Sequence, residues 1–159
     1  MAQAFYFARR YDEAIEQSHR VIKEEPNYFL VHFQLGRAFA EKGNFAGAIR
    51  ELQTAMTLTR GHPVIQMALG NAYARAGQRQ KAIAALAELR AASRTRYVPH
   101  LYEAGIYLGL DQKNDALRAL DQACAERSDY LIYLKVEPYP DRVRNTPEFD
   151  RIVKCVGLP

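Results

Sequence analysis

The stretch "GNFAGAIREL" at residues 43–52 returns as "GQRQKAIAAL" at residues 77–86, and as "DQKNDALRAL" at residues 111–120. Each copy keeps an alanine, a branched aliphatic residue after it, and a closing leucine. Self-similarity at a fixed period of this length is typical of stacked helical units, each of which buries its apolar face only against its neighbours. The sequence therefore predicts an all-α fold built from repeats.

The period divides most of the chain into units with two helical halves. The predicted units are a partial one at 1–28 and full ones at 29–62, 63–96 and 97–130. The first halves place a small residue three positions before an aromatic, and the second halves carry one alanine at an equivalent position. The small residues are Gly36, Gly70 and Ala104, the aromatics are Phe39, Tyr73 and Tyr107, and the alanines are Ala14, Ala48, Ala82 and Ala116. Small side chains let two helices approach closely, so each unit is predicted to be an antiparallel helix pair.

This pattern resembles the tetratricopeptide repeat family. The matching residues are Leu35, Gly36, Phe39, Ala48, Leu52 and Ala55, then Leu69, Gly70, Tyr73, Ala82 and Leu86, then Ala104, Tyr107, Ala116, Leu120 and Ala123. The early tryptophan of the family is His32, Gln66 and His100 here, and its closing proline survives only as Pro26. The resemblance implies a right-handed superhelix of antiparallel helix pairs that acts as a noncatalytic protein-interaction module.

Residues 131–159 break the period and are predicted to form a helical cap over the last repeat. Thr146, Pro147 and Glu148 form a helix start, with a hydroxyl for the N-cap and a proline in the first turn. The run "YLKVEPYPDRVRNTPEF" also resembles the end of tetratricopeptide regions in bacterial multidomain regulators of the winged-helix, protein kinase or cyclase type. We therefore expect a regulatory segment of a larger bacterial protein. The first unit begins partway through its first helix, which fits that expectation; a naturally short first helix is the alternative.

Composition and motifs predict neither an enzyme nor a bound cofactor. The chain lacks a phosphate-binding glycine loop, a nucleophile elbow and a zinc-type histidine pair, so we predict no catalytic residue, no metal and no small-molecule substrate. His32 and His100 are interpreted as packing residues. Cys124 and Cys155 are expected to be buried, reduced thiols in a cytoplasmic protein that makes no membrane contact. A periplasmic or otherwise extracytoplasmic location is the alternative, and there Cys124 and Cys155 could oxidise if the cap folds onto the fourth unit.

The predicted binding site is a concave groove, which the first helices line in the family's superhelix. The groove positions are Phe33, Arg37, Val64, Met67, Asn71, Arg75, Leu101 and Tyr102. Apolar side chains with a few polar anchors suit a protein or peptide partner. Occupation of the groove by the cap or by a neighbouring chain is the alternative, and a homodimer or a structural spacer remains open.

A basic stretch offers a competing site. Residues 60–96 carry seven Lys and Arg against Glu88, a net charge of +6, whereas the whole chain carries +4. Such a surface can bind nucleic acid or an acidic partner. Several of these side chains belong to second helices, which face outward in the family, so we favour a solvated face over a nucleic-acid site.

Overall fold

The computed structural model describes residues 1–157 and contains nine α-helices in that range. The helices are α1 Ala2–Phe7, α2 Tyr11–Glu24, α3 Phe29–Glu41, α4 Phe45–Thr59, α5 Pro63–Arg75, α6 Arg79–Ser93, α7 His100–Gly109, α8 Lys113–Ala125 and α9 Pro147–Cys155. Two 3-10 helices, Asp129–Tyr133 and Tyr139–Arg142, lie between α8 and α9. No strand occurs in the described range, so the all-α prediction is confirmed.

Successive helices pack as four pairs, from α1 with α2 to α7 with α8, and each pair packs on the next. Glycines allow the closest approaches. A Cβ on Gly36 would lie 2.7 Å from Leu52 Cγ within the second pair, and one on Gly70 would lie 2.6 Å from Ile106 Cδ1 in the fourth pair. Both distances are shorter than ordinary van der Waals contact, so the predicted role of the small residues at helix crossings is confirmed.

The turn inside each pair has the same backbone conformation. Arg9, Gly43, Gly77 and Asp111, which are equivalent in the period, have φ values of 61°, 77°, 75° and 60°. A left-handed residue at this position ends the first helix and reverses the chain. The sequence signal is strongest where the residue is glycine, which adopts this conformation without steric cost.

After α8 the chain turns back through residues 129–142, which we call the C-terminal segment, and crosses to the first helix pair. The Arg9 guanidinium donates to Asp141 Oδ1 at 2.9 Å and to the Glu137 carbonyl at 3.3 Å. The rings of Phe7 and Tyr133 stack with centroids 5.6 Å apart. The two ends of the repeat array are therefore joined across the surface formed by the first helices of the pairs.

Helix α9 packs on α8 and begins as its sequence predicts. Thr146 Oγ1 accepts a hydrogen bond from the Phe149 amide at 3.3 Å, and Pro147 occupies the first turn. The apolar side chains of Phe149 and Ile152 are buried. The last two positions of the predicted cap, 158 and 159, lie outside the described residues.

The prediction of two buried, reduced thiols is wrong. Cys124 on α8 and Cys155 at the end of α9 form a disulfide, with Cα atoms 6.4 Å apart, and Cys155 is exposed. That separation lies within the usual range for disulfides. The pairing depends on α9 folding back onto α8, which two cysteines 31 positions apart do not reveal by their spacing.

Candidate functional site

The eight predicted groove residues lie on one surface formed by the first helices of three consecutive pairs. Phe33 and Arg37 belong to α3, the four residues from Val64 to Arg75 to α5, and Leu101 and Tyr102 to α7. Seven of the eight are buried, and the Arg75 side chain is only 23% exposed. The structure thus brings the residues together, but the expected open, solvent-facing strip is not present. The reason is that the C-terminal segment lies over part of this surface, at Arg37 and Tyr102, whereas Asn71 and Arg75 are bonded to neighbouring repeats.

Arg37 is the central contact between the groove and the C-terminal segment. Its guanidinium forms an ion pair with the Glu137 carboxylate, and both side chains are more than nine-tenths buried. The guanidinium carbon also lies 4.0 Å from the centroid of the Tyr6 ring and 5.1 Å from that of Phe33. A buried guanidinium needs such a partner, because an unpaired charge is costly to remove from water.

Aromatic rings continue this contact along the groove. Tyr102 meets Tyr130 edge to face, with ring centroids 5.9 Å apart, and Tyr130 lies 5.8 Å from Tyr133. Tyr133 in turn stacks on Phe7. The groove therefore holds an irregular peptide segment mainly through aromatic packing around one buried ion pair.

The other two polar groove residues connect neighbouring repeats. Asn71 Nδ2 donates to the Gly105 carbonyl at 2.6 Å, which joins α5 to α7. Arg75 donates to Glu41 Oε1 at 2.7 Å and to the Ala40 carbonyl at 2.9 Å, which joins α5 to α3. Both side chains bond to neighbouring repeats. Of the two groove arginines, Arg37 is the one that forms an ion pair with the C-terminal segment.

The basic stretch is partly neutralised by acids outside its range. Arg75 pairs with Glu41, and Arg90 pairs with Glu103 at 2.9 Å. Adding these two carboxylates to the +6 of residues 60–96 leaves +4. Arg96 additionally donates to the Gly61 carbonyl at 3.2 Å. This pairing weakens the case for a phosphate-binding surface.

The paired histidine positions lie at the joints between helices. His32 lies between Glu51 Oε2, 2.9 Å from its Nδ1, and the Pro26 carbonyl oxygen, 2.8 Å from its Nε2. His100, two units after His32, contacts Glu126 within its own unit. Across residues 1–157, no three His, Cys, Asp or Glu side chains cluster as a metal would require.

Sequence analysis gave occupation of the groove by the cap as the alternative, but it named none of the residues that occupy the groove. Tyr133, Glu137 and Tyr139 belong to the run "YLIYLKVEPYPD" at residues 130–141, which combines three tyrosines and two carboxylates with two prolines that oppose a regular helix. That composition was the available signal. It shows an irregular aromatic segment, but not which surface the segment covers.

The stacked antiparallel helix pairs define a helical repeat protein. The family model of the tetratricopeptide repeat matches residues 8–72 and 39–98, which together cover more than half of the chain. The chain belongs to the tetratricopeptide repeat family. No curated protein matches it. Among the described helices, none is both long and apolar enough to cross a membrane.

Proposed function

We propose that this chain is a noncatalytic interaction module whose concave groove binds a partner segment in competition with its own residues 129–142. Tetratricopeptide repeats generally mediate protein–protein interaction. The observation that carries the proposal is the pairing of Arg37 with Glu137 inside the groove. It supports a partner that supplies a carboxylate to Arg37.

The C-terminal segment serves as a template for the partner. Its tyrosines at 130 and 133 pack against rings of the groove and of α1, and its carboxylate at 137 pairs with Arg37. A competing partner would supply an aromatic side chain and a carboxylate within one irregular segment. Because the C-terminal segment is tethered, its effective concentration is on the order of millimolar. A partner therefore binds best when the segment is loosened.

A peptide added in trans tests this competition. The probe is a labelled peptide with the sequence of residues 129–142, titrated against the full chain and against Glu137→Gln. The variant removes the tethered carboxylate and leaves Arg37 to be paired by the peptide. We expect the variant to bind the peptide at least tenfold more tightly than the unmodified chain, because losing one partner of a buried ion pair costs about 3 to 5 kcal/mol.

Two controls locate the binding. Arg37→Gln in the Glu137→Gln background should abolish the gain in peptide affinity. Lys81→Gln, on the outward face of α6, should preserve it. If Glu137→Gln does not bind the peptide, the groove is a closed part of the core, and partners must use another surface.

We further propose that the repeats at 1–130 and the cap at 131–159 form the regulatory segment of a larger bacterial signalling or transcription-regulating protein. Support comes from the likeness of the C-terminal run to the ends of such regions. The Cys124–Cys155 disulfide favours the extracytoplasmic alternative over the cytoplasm, because disulfides persist in oxidising compartments. Sequencing upstream of the coding region tests the first point. Thiol alkylation of the protein in intact cells tests the second.

A further inference from the structure

The disulfide between Cys124 and Cys155 lies where a reductant can reach it. Cys155 is the last residue of α9 and is exposed, whereas Cys124 on α8 is partly buried. Exposed disulfides exchange with thiols more readily than buried ones, and regulatory disulfides are drawn from this group. The bond is therefore open to exchange at Cys155 in the folded chain.

Helix α9 depends on contacts outside itself. It has nine residues, and a helix of that length is marginal in water on its own. Phe149 and Ile152 are buried, and Arg151 pairs with Asp121 of α8 at 2.8 Å on the surface. An exposed ion pair contributes little to stability. The disulfide thus fixes the end of α9 that lies beyond its two buried side chains.

Arg144 connects α9 to the C-terminal segment. Its guanidinium carbon lies 5.6 Å from the centroid of the Phe149 ring. The same guanidinium donates to the carbonyl oxygens of Lys135 and Glu137 and to Asp141 Oδ1, each at 2.8 Å. Glu137 is therefore held by its carbonyl against Arg144 and by its carboxylate inside the groove. The positions of α9 and of Glu137 are coupled through this one arginine.

We propose that the Cys124–Cys155 disulfide is a redox latch on the groove. In the oxidised chain, the bond keeps α9 on α8, and Arg144 keeps the C-terminal segment in the groove. Reduction frees the end of α9, which loosens the segment and opens the groove to a partner. The inference rests on the proposed competition between the segment and a partner, and it names the signal that decides between them.

A dithiol is the class of reductant that opens the latch. One of its thiolates attacks Cys155 Sγ, the exposed sulfur, and the S–S bond breaks with its electron pair leaving on Cys124 Sγ. The second thiolate then attacks the reductant's own sulfur in the mixed disulfide and releases Cys155 as a thiolate. The two cysteines take up the protons that the dithiol gives up, and the protein gains the two electrons that the dithiol loses.

Amide hydrogen exchange with and without dithiothreitol tests the latch in the absence of a partner. The amides of Leu134 and Glu137 donate to the carbonyls of Leu131 and Tyr133, both at 2.9 Å, within the C-terminal segment. We expect reduction of the full chain to accelerate exchange at these two amides and in α9, while exchange in α3 and α5 stays slow. Faster exchange confined to α9 would overturn the proposal. Faster exchange in every helix would do the same, because the bond would then support the whole fold.

The labelled peptide with the sequence of residues 129–142 tests the consequence for the groove. Apparent affinity follows the fraction of chains whose groove is open, and we expect dithiothreitol to raise it about tenfold. Cys155→Ser should bind like the reduced chain, with or without dithiothreitol. If Glu137→Gln binds the peptide but reduction has no effect, the latch is refuted and the proposed function stands. If neither binds the peptide but the segment's amides respond to reduction, the latch on the segment stands and the proposed function of the groove fails.

A matched pair of arginine variants tests the coupling. Arg144→Gln removes the contact between α9 and the C-terminal segment and keeps the disulfide, so its oxidised form should bind the peptide as tightly as the reduced, unmodified chain. Arg151→Gln is the control, since Arg151 is exposed on α9 and pairs with α8. It should keep the redox response. An Arg144→Gln variant that also keeps the full response would overturn the proposed coupling.

Discussion

The disulfide between α8 and α9 provides the most direct test of how the C-terminal part is held. The change is Cys155→Ser, which removes the bond at its exposed end and makes the side chain only slightly smaller. The bond closes a loop with a sequence separation of 31. In the chain-entropy treatment, a loop of 15 residues contributes about 3 kcal/mol and one of 100 residues about 4.7, so this loop contributes about 3.7 kcal/mol.

Thermal unfolding followed by far-ultraviolet dichroism measures this contribution. For a domain of this size, each kcal/mol corresponds to about 2 to 4 °C, so Cys155→Ser should unfold about 7 to 15 °C below the unmodified protein. A reductant should lower the unfolding temperature of the unmodified protein to that of the variant, and it should leave the unfolding temperature of the variant unchanged. Phe149 and Ile152 keep α9 partly anchored, so faster amide exchange should be concentrated in α9 and the C-terminal segment.

Cys124→Ser is the matched control, because it removes the same bond from the partly buried end. Both variants should lose similar stability. Two free thiols per chain in the unreduced, denatured protein would refute the disulfide itself. Equal unfolding temperatures with and without reductant, despite a confirmed bond, would refute the loop-entropy estimate.

Three further changes test the packing and the pH response of the repeats. Gly70→Ala should destabilise by about 1 to 3 kcal/mol, because its Cβ would lie 2.8 Å from Ile106 Cγ1 and 3.0 Å from Ala85 Cβ, on two different helices; urea unfolding with unchanged stability would contradict this. Ala82→Leu should cost a similar amount, since Ala82 is fully buried at a helix crossing; an unaltered urea midpoint would exclude a tight crossing there. Burial and then the charge of Arg96 lower the pKa of His62, which caps α5 by accepting from an amide, so its protonation opposes folding. The contribution of neutral His62 to the free energy of unfolding is fully present above the ordinary histidine pKa of 6.5. It is lost as the pH falls below that value, through the lowered pKa of the folded state. His62→Asn keeps a capping group that does not titrate. Between about pH 7.5 and about pH 5.5, the melting temperature of this variant should therefore fall less than that of the unmodified protein. An equal fall in both would show that His62 does not contribute to the pH dependence of stability.

The sequence by itself determined the repeated helix pairs, because the relevant signals are local. Gly36, Gly70 and Ala82 mark helix crossings within a few residues of the turns they belong to. Thr146 and Pro147 mark a helix start in the same way. Such patterns depend on helical spacing and backbone conformation, which neighbouring residues decide. The surface formed by the predicted groove positions also follows from the period, since equivalent residues of stacked units face the same side.

Only the tertiary structure decided what occupies that surface. Arg37 and Glu137 are 100 positions apart, and their pairing depends on the path that returns the chain across the first helices of the pairs. The same path buries Tyr102 and brings Cys155 to α8. The irregular segment from 129 to 142 carries no periodic pattern, so its position is decided by which long-range contacts bury its aromatic rings and its carboxylate, and those contacts exist only once the repeats have stacked.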